Sequence, residues 1–296
     1  MILGYRVYTK YLDIKSSSTC QLKCKHCAMR KSMDGSRTNW EKIRKLLHEN
    51  PSVEEIHLGG GEPFVTEDNA KDIYELITEF PNIKYKVTTN LCYPLTEYRR
   101  KALENIDSLQ TSFDIGIRFG NIHNLLLWMR NVRELVKVRD IDVFCCLTNK
   151  LKPERIPKLI HMFYKMGFYG YKIIPICNVG SAKDNYLIPS KQHVKDILTA
   201  MIEYDISEGN ETIDLFHDGM FTICPYGTEC TPINSNVEIK NCGIKERENC
   251  HCSNDPECYI CPNFQYCGGR CVLIPCYYDK DLYDRIKSCR NRSGEN

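Results

Sequence analysis

The sequence lacks the features that direct a chain to a membrane or out of the cell. It has no charged N-terminal region followed by an apolar stretch, and no run of about 18 apolar residues, so we predict neither a secretory signal nor a transmembrane helix. It also lacks a strong net charge, because 40 basic and 38 acidic residues give +2. No global field therefore favours nucleic acid or an anionic membrane. Low-complexity tracts and short repeats are absent too, which excludes solenoids.

Cysteine, in contrast, is abundant, with 18 in 296 residues. This is several times the ordinary usage. Without an export signal a disulfide framework is not expected, and a large set of reduced cysteines indicates metal or cluster ligands. We therefore expect an oxygen-sensitive cytoplasmic protein.

Three of these cysteines, Cys20, Cys24 and Cys27, stand close together in the run CQLKCKHC. Three thiolates can hold an iron-sulfur cubane by three of its irons, whereas such clusters normally take four cysteines. One iron would be left open to bind a small molecule. A zinc site is the alternative, but His26 would have to be its fourth ligand, and its place between Cys24 and Cys27 makes tetrahedral closure awkward.

Between residues 10 and 206 the chain alternates strand-like runs with amphipathic helical patterns, six times. Strand followed by helix, repeated, predicts right-handed crossovers and a parallel sheet. Six units are too few for a closed eight-stranded barrel, so we predict a partial (β/α)6 TIM-like barrel of the α/β class. The strands are expected near 11–16, 53–59, 83–89, 108–114, 141–148 and 171–177. The helices are expected at 40–48, 68–80, 98–105, 122–138, 153–166 and 190–206.

The composition changes near residue 207. Eleven cysteines lie between Cys224 and Cys289, with little periodic apolar pattern. Such a segment needs clusters or cross-links to fold. We therefore divide the chain into a barrel over residues 1–206 and a small cysteine-rich domain over 207–296.

A glycine-rich run, Gly59 to Pro63, follows the second predicted strand. Glycines let a backbone approach a ligand closely, and Glu62 adds an acceptor for an ammonium group. Ligands of such sheets bind at the carboxyl ends of the strands, where both this run and the cysteine triad are predicted to lie.

The triad and the GGEP run together resemble the radical S-adenosylmethionine (SAM) enzymes, over residues 14–177. The resemblance implies a [4Fe-4S] cluster on Cys20, Cys24 and Cys27 whose open iron binds SAM. It also implies reductive cleavage of SAM to a 5′-deoxyadenosyl radical that abstracts hydrogen from a substrate. The motif residues expected to bind SAM are Gly60, Gly61, Glu62 and Pro63.

Further SAM contacts are implied by the same resemblance. Ser112 would bind the ribose or carboxylate, Arg118 would pair with the carboxylate, and Asn149 would lie near the ribose. Ile176, in the run PICNVG, would lie beside the adenine. For each of these a structural cap or turn is the alternative. The sequence departs from the family's TNG pattern at Leu91, so we expect a different backbone there.

The spacing of the C-terminal cysteines resembles the SPASM domain, the auxiliary-cluster module of many peptide- and protein-modifying radical SAM enzymes. By resemblance to anaerobic sulfatase-maturing enzymes, one auxiliary [4Fe-4S] cluster would take Cys224, Cys230, Cys242 and Cys271, and the other would take Cys258, Cys261, Cys267 and Cys289. The chain would then hold three [4Fe-4S] clusters. Two four-thiolate zinc sites are the alternative for this segment.

Seven cysteines are left without a predicted ligand role. Cys145 and Cys146 lie in a predicted strand and are expected to be small core residues. The others are Cys92, Cys177, Cys250, Cys252 and Cys276.

The resemblance favours a peptide or protein substrate that is crosslinked, oxidised or epimerised, as in the maturation of ribosomal peptides. Gly243 stands where the sulfatase-maturing enzymes have an aspartate, which argues against formylglycine formation. Candidate bases are Asp114, His217 and Asp218, with Glu62 nearby. Only nineteen residues precede the triad, so we expect either a separate peptide-delivery protein or a substrate that is not a ribosomal peptide.

Two other hypotheses remain open at this point. The substrate would be a small metabolite or nucleotide-like molecule in the first, and the chain would be a noncatalytic cluster or zinc protein in the second. Either enzymatic hypothesis requires an electron donor such as flavodoxin or ferredoxin, and neither nucleic acid nor membrane is an expected partner.

Overall fold

The computed structural model describes residues 10–114, 116–176, 178, 180–208, 230–233 and 281. In this part of the chain seven parallel strands form one sheet, in the order β6-β5-β4-β3-β2-β1-β7. The strands are β1 (Tyr11–Ser17), β2 (Glu55–Gly60), β3 (Lys84–Thr89), β4 (Ser108–Ser112), β5 (Ile141–Leu147), β6 (Gly170–Pro175) and β7 (Cys230–Ile233).

Within the described residues five helices connect consecutive strands from β1 to β6, and two more lie between β6 and β7. The helices are α1 (Trp40–Glu49), α2 (Glu67–Glu79), α3 (Glu97–Glu104), α4 (Ile122–Leu135), α5 (Ile156–Met166), α6 (Gly180–Asp184) and α7 (Lys191–Glu208). Short 3-10 turns lie at Arg30–Ser32 and Pro153–Arg155. The predicted alternation and the parallel sheet are confirmed, and β6 and β7 stand at opposite edges of an unclosed sheet.

Local sequence signals set where several helices begin and end. The side chains of Asn39, Thr66 and Asn121 each accept a hydrogen bond from the backbone N–H three residues later, which caps α1, α2 and α4. Gly167 ends α5 in the left-handed conformation, at φ 86°. Pro157 stands in the first turn of α5, where no N–H is needed, and this places the start of the helix after the predicted residue 153.

The core lies between the sheet and the helices. In β5 the alternate residues Ile141, Val143, Cys145 and Leu147 are buried, as the two-residue period of a strand requires. Cys145 is a core residue as predicted, and its thiol donates to the Phe113 carbonyl. Cys146 points the other way and is half-buried, and it packs against a second, small apolar cluster that contains Ile117 and Ile176.

Two elements were not predicted. Helix α6 has five residues, too few to give a periodic pattern. Strand β7 pairs with β1 from Tyr11↔Cys230 to Ile14↔Ile233, so the sheet has seven strands among the described residues rather than the six predicted. Its sequence, CTPI, contains a proline, which sheets tolerate at an edge. Four residues of the segment assigned to the second domain thus extend the barrel sheet.

Because all the strands are parallel, the loops that follow β1 to β6 meet at one edge of the sheet. These loops include the cysteine triad, the GGEP run and the residues after β3, β4 and β6. No helix within the described residues has the length and apolar character needed to span a bilayer.

Candidate active site

The three cysteines of the triad lie on the loop that follows β1, at the carboxyl edge of the sheet. Cys24 is buried, and Cys20 and Cys27 are half-buried; all three are free thiols. Burial, followed by Glu62, raises the pKa of Cys20 to about 12, and the neighbouring Cys24 and Cys27 add to this shift. Ligation to iron would offset the cost of ionising these buried thiols.

The glycines of the GGEP run hold this cysteine loop from one side. The N–H of Gly61 donates to the Ser17 carbonyl over 2.7 Å, and the N–H of Glu62 donates to the Thr19 carbonyl over 2.8 Å. Gly60 has a φ of +102°, and a Cβ there would lie 2.7 Å from the Ser17 oxygen. A Cβ on Gly61 would overlap the Thr19 oxygen. These glycines are needed for contact with the cysteine loop, where the sequence suggested contact with a ligand.

A glycine after β6 holds the same loop from another side. The N–H of Ser181 donates to the Cys27 carbonyl over 3.1 Å, and a Cβ on Gly180 would lie 2.6 Å from the Ala28 oxygen. The N–H of Lys25 also donates to the Ile117 carbonyl over 3.0 Å. The loops after β2, β4 and β6 therefore all bond to the backbone of the cysteine loop.

The Glu62 carboxylate is buried and binds the loop after β3. It accepts hydrogen bonds from the Thr89 hydroxyl over 2.6 Å, the Asn90 N–H over 2.7 Å and the Phe64 N–H over 3.1 Å. Burial raises the pKa of Glu62 to about 7, although these three bonds oppose the shift. The carboxylate expected to accept an ammonium group thus already joins the ends of β2 and β3.

The loop after β3 reaches Cys20 through Asn90. The Asn90 amide lies 3.7 Å from the Cys20 sulfur, and the Gln21 amide donates to its oxygen over 3.0 Å. Leu91 has a φ of 51°, a left-handed conformation that a glycine adopts without strain. A non-glycine residue is strained at this φ, and the Leu91 side chain is buried. The predicted difference from the family's backbone at this position stays a prediction.

Arg99 of α3 contacts both the loop after β2 and the loop after β3. Its guanidinium donates to the carbonyls of Phe64, Val65 and Pro94 and stacks 4.9 Å from the centre of the Tyr93 ring. It is 7% exposed. One buried cation therefore fixes the loop after the GGEP run against the loop after β3.

A second buried network lies at the ends of β4 and β5. Arg118 Nε donates to Asp114 Oδ2 over 2.6 Å, and Asp114 Oδ1 accepts from the Cys146 N–H over 2.6 Å. Arg118 Nη2 lies 3.1 Å from Nε2 of His26, inside the cysteine loop. Arg118 was predicted to pair with the SAM carboxylate, but in this structure it is engaged by Asp114 and His26.

The electrostatics of this network follow from its burial. Burial alone would raise the pKa of Asp114, but Arg118, His26 and the Cys146 N–H lower it overall. Burial lowers the pKa of His26 to about 4. Burial raises the pKa of Cys24 to about 11, and Arg118 opposes this shift. Asp114, predicted as a base, is therefore a weak proton acceptor that orients Arg118, and Arg118 stabilises negative charge on the cysteines.

Three other predicted SAM contacts lie at the same sheet edge. Ser112 ends β4 and is buried. The Asn149 side chain donates to the Tyr186 carbonyl over 2.7 Å, as the structural alternative predicts. Ile176 follows β6 and packs in a small apolar cluster with Ile117 and Leu187.

Several predicted site residues fall outside the described residues. Cys230 lies in β7, where the backbone alone is described. The predicted bases and the remaining tail cysteines outside the described residues are His217, Asp218, Cys224, Cys242, Cys258, Cys261, Cys267, Cys271 and Cys289.

Sequence reasoning missed the residues that hold the loops. Thr89, Asn90 and Gly180 lie in the TNG-like and PICNVG runs but were given no part in holding the loops, Arg99 carries no motif, and His26 was considered only as a zinc ligand. The one available signal was Thr89-Asn90 directly after a strand, at the edge where loops meet.

The residues present fit an iron-sulfur cluster with three protein ligands. Three adjacent thiols share one loop, the loop backbone is fixed from several sides, and a buried cation stands beside them. Each feature is expected of a site that holds a negatively charged cluster in one orientation.

Comparison with known proteins agrees with this geometry. The sequence profile of the Radical SAM superfamily matches residues 14–164, about half of the chain. No curated protein matches the chain.

The fold resembles that of Streptococcus suis SuiB bound to S-adenosylmethionine, with a TM-score of 0.64 and 16% identity over 90% of this chain and 73% of that chain. It also resembles Streptococcus suis SuiB bound to precursor peptide SuiA, with a TM-score of 0.60 and 15% identity over 95% of this chain and 67% of that chain. At these identities the likeness shows the fold alone.

The close approach at Gly61 makes a direct prediction. In Gly61→Ala the added methyl group overlaps the Thr19 oxygen, a backbone atom, so the cysteine loop must shift. We expect the reconstituted variant to hold about four irons fewer per chain than wild type. Gly59→Ala is the control, because its methyl group meets a side chain, the His57 ring at 3.2 Å, and not the backbone of the cysteine loop. Equal iron contents in both variants would contradict this role of Gly61.

The raised pKa of Glu62 predicts a pH dependence of stability. The folded value of about 7 lies above the usual 4.5, so the unfolded chain releases this proton first as the pH rises. The contribution of Glu62 to the free energy of unfolding is therefore full below pH 4.5 and declines up to pH 7, by about 3 kcal/mol at about 1.4 kcal/mol per unit.

Urea unfolding of cluster-free wild type and Glu62→Gln at pH 5 and pH 7 measures this effect. The stability of wild type relative to Glu62→Gln should be lower at pH 7 than at pH 5. Glu75→Gln, on the exposed face of α2, should show the same pH dependence as wild type. A pH-independent difference between wild type and Glu62→Gln contradicts the raised pKa.

Proposed function

The chain belongs to the radical SAM superfamily, and we propose that it modifies a peptide or protein substrate with the help of auxiliary clusters in a C-terminal SPASM domain. Membership of the superfamily implies an enzyme that uses SAM and a [4Fe-4S] cluster. The observation that carries the proposal is the position of Cys20, Cys24 and Cys27 on one loop, clamped at the carboxyl edge of the sheet. Bound there, cluster and SAM would supply a 5′-deoxyadenosyl radical.

The protein's own residues orient this chemistry. Cys20, Cys24 and Cys27 would hold the cluster, and Arg118 would offset part of its negative charge. The bonds from Gly61, Glu62 and Ser181 would keep the loop in one position relative to the sheet. Cluster ligands that are held in one position are what a reaction requires when a radical must meet one hydrogen atom of its substrate.

We propose that SAM binds at the edge of the sheet where the cysteine loop lies. Gly60, Gly61, Glu62 and Pro63 border the cysteine loop, and Ser112, Arg118, Asn149 and Ile176 follow the later strands of the same sheet edge. Since Glu62 and Arg118 already have buried partners, we propose that the GGEP run contributes to SAM binding through its backbone, and that Arg118 acts on the cluster rather than on the SAM carboxylate.

A peptide or protein substrate is supported by fold likeness together with the cysteine pattern of the tail. The chain resembles SuiB bound to precursor peptide SuiA over 95% of its length. We propose crosslinking, oxidation or epimerisation of a peptide, with His217 or Asp218 as the base and a flavodoxin or ferredoxin as electron donor. A separate protein would deliver the peptide. The many thiol ligands favour a reducing compartment, which we propose to be the cytoplasm.

For the tail, we propose two auxiliary [4Fe-4S] clusters, one on Cys224, Cys230, Cys242 and Cys271 and one on Cys258, Cys261, Cys267 and Cys289. They would accept an electron from the substrate radical or bind the substrate. We keep the proposed domain boundary between residues 206 and 207, although β7 joins the barrel sheet.

The function is tested by SAM cleavage in anaerobically reconstituted protein with dithionite. Wild type should release 5′-deoxyadenosine, and Cys24→Ala should release none above background, because two thiolates no longer position the cluster. Cys145→Ala, which removes a core thiol of β5, is the control and should retain cleavage. Retained cleavage in Cys24→Ala would show that the reactive cluster lies elsewhere.

The substrate class has its own test. A short peptide encoded beside the gene should change in mass when it is incubated with the active enzyme. Cleavage of SAM without any change in such peptides, and with metabolic enzymes encoded nearby, would favour a small-molecule substrate instead.

The auxiliary clusters predict a metal content. Three [4Fe-4S] clusters require about twelve irons and twelve sulfides per chain. About four irons with two zincs would contradict the proposal for the tail and leave the cluster on Cys20, Cys24 and Cys27 unaffected. Elemental analysis of the reconstituted protein decides between the two.

A further inference from the structure

His26 is a buried histidine whose ring has one nitrogen without a partner. It lies inside the cysteine loop, between Cys24 and Cys27, and is 8% exposed. Its Nδ1 makes no hydrogen bond among the described residues. Leaving a buried polar atom without a partner costs free energy, so such an atom in a functional loop points to a missing group.

The contact that His26 Nε2 makes determines whether Nδ1 carries a proton. Arg118 Nη2 lies 3.1 Å from His26 Nε2. A guanidinium group can only donate hydrogen bonds, so Nε2 must be the acceptor in this pair. The proton of the neutral ring is therefore on Nδ1, and the atom without a partner is a hydrogen-bond donor.

The donor lies in the neighbourhood of the cysteine sulfurs. The Arg118 residue that contacts the His26 ring also accepts a hydrogen bond from the Cys24 thiol at its carbonyl, over 3.6 Å. The His26 ring and the Cys24 sulfur thus share one neighbour.

A metal ion bound between His26 and Asp114 does not fit the contacts around the His26 ring. His26, Asp114 and Cys146 bring ligand atoms within 4.8 Å of one another. The Arg118 guanidinium, however, already binds Asp114 Oδ2 and His26 Nε2, so its positive charge occupies the place of an ion. The unpartnered Nδ1–H needs an acceptor, and a metal ion is not one.

We propose that His26 Nδ1–H donates a hydrogen bond to a sulfur of the cluster on Cys20, Cys24 and Cys27, either a ligand thiolate or a bridging sulfide. Hydrogen bonds to cluster sulfurs disperse negative charge and favour the reduced state. His26 is therefore a positioning residue that raises the reduction potential of this cluster. Asp114 holds Arg118, and Arg118 holds the tautomer of His26. The inference rests on the cluster and not on the proposed substrate.

Redox titration of the cluster, followed by electron paramagnetic resonance without SAM, tests the proposal. The signal is assigned beforehand as the one that SAM perturbs. In His26→Phe, which removes the donor, the midpoint potential should become more negative. In His26→Asn, whose amide nitrogen takes the position of Nδ1, it should return toward wild type. In His26→Gln, whose amide takes the position of Nε2, it should stay negative.

Other outcomes of the titration overturn the proposal. A wild-type midpoint potential in both His26→Phe and His26→Gln means that no such bond exists. If His26→Gln rather than His26→Asn restores the wild-type potential, the role of His26 is the contact with Arg118 alone. A shift that appears only when SAM is present assigns the donor to SAM. His48→Phe, which changes an exposed histidine of α1, should leave the potential unchanged.

A direct measurement uses protein whose histidines carry 15N. Pulsed electron paramagnetic resonance of the reduced cluster should detect a weak 15N coupling that is lost in His26→Phe and retained in His48→Phe. The same samples are assayed for 5′-deoxyadenosine and for peptide modification. A missing coupling in protein that cleaves SAM overturns the inference alone, whereas a coupling in protein that modifies no peptide overturns the proposed substrate alone.

Discussion

The rest of the site depends on the contact between the backbone of the cysteine loop and the backbones of its neighbours. At Gly60, Gly61 and Gly180 a Cβ would lie closer to a carbonyl oxygen of that loop than van der Waals radii permit. Backbone contact of this kind is stiff, because it leaves no flexible side chain between the two segments. The ligands of a cluster would thereby take their positions from the sheet itself, since each neighbouring loop continues a strand.

Two buried carboxylates stabilise the loops around this contact, and their environments differ. Among the described residues Glu62 accepts three hydrogen bonds but forms no ion pair, so burial dominates and raises its pKa. Asp114 has Arg118 at 2.6 Å, and its pKa is lowered although it too is buried. One carboxyl thus exchanges its proton near neutral pH, whereas the other remains an anion and keeps Arg118 in place.

Much of the fold could be predicted from sequence, because its signals are local. Apolar periodicity gave six strands and six helices close to their observed bounds, and motif spacing gave the place of the cysteine loop. Strand β7 could not be predicted, since a four-residue edge strand with a proline has no period to detect. The hydrogen-bond partners of Glu62 and Arg118 could not be predicted either. They are side chains and N–H groups that are distant in sequence and meet only because parallel strands end at one edge of the sheet.

The contacts from Cys146 through Asp114 and Arg118 to His26 indicate that Asp114 has a structural role in the site. Asp114 lies where a catalytic base was expected, yet its lowered pKa and its two occupied oxygens make it a poor acceptor of a substrate proton. Its removal would release Arg118 and leave the His26 ring free to change tautomer. Loss of activity on substitution of Asp114 would therefore follow from disorder beside the cysteines, and would not by itself identify Asp114 as the base.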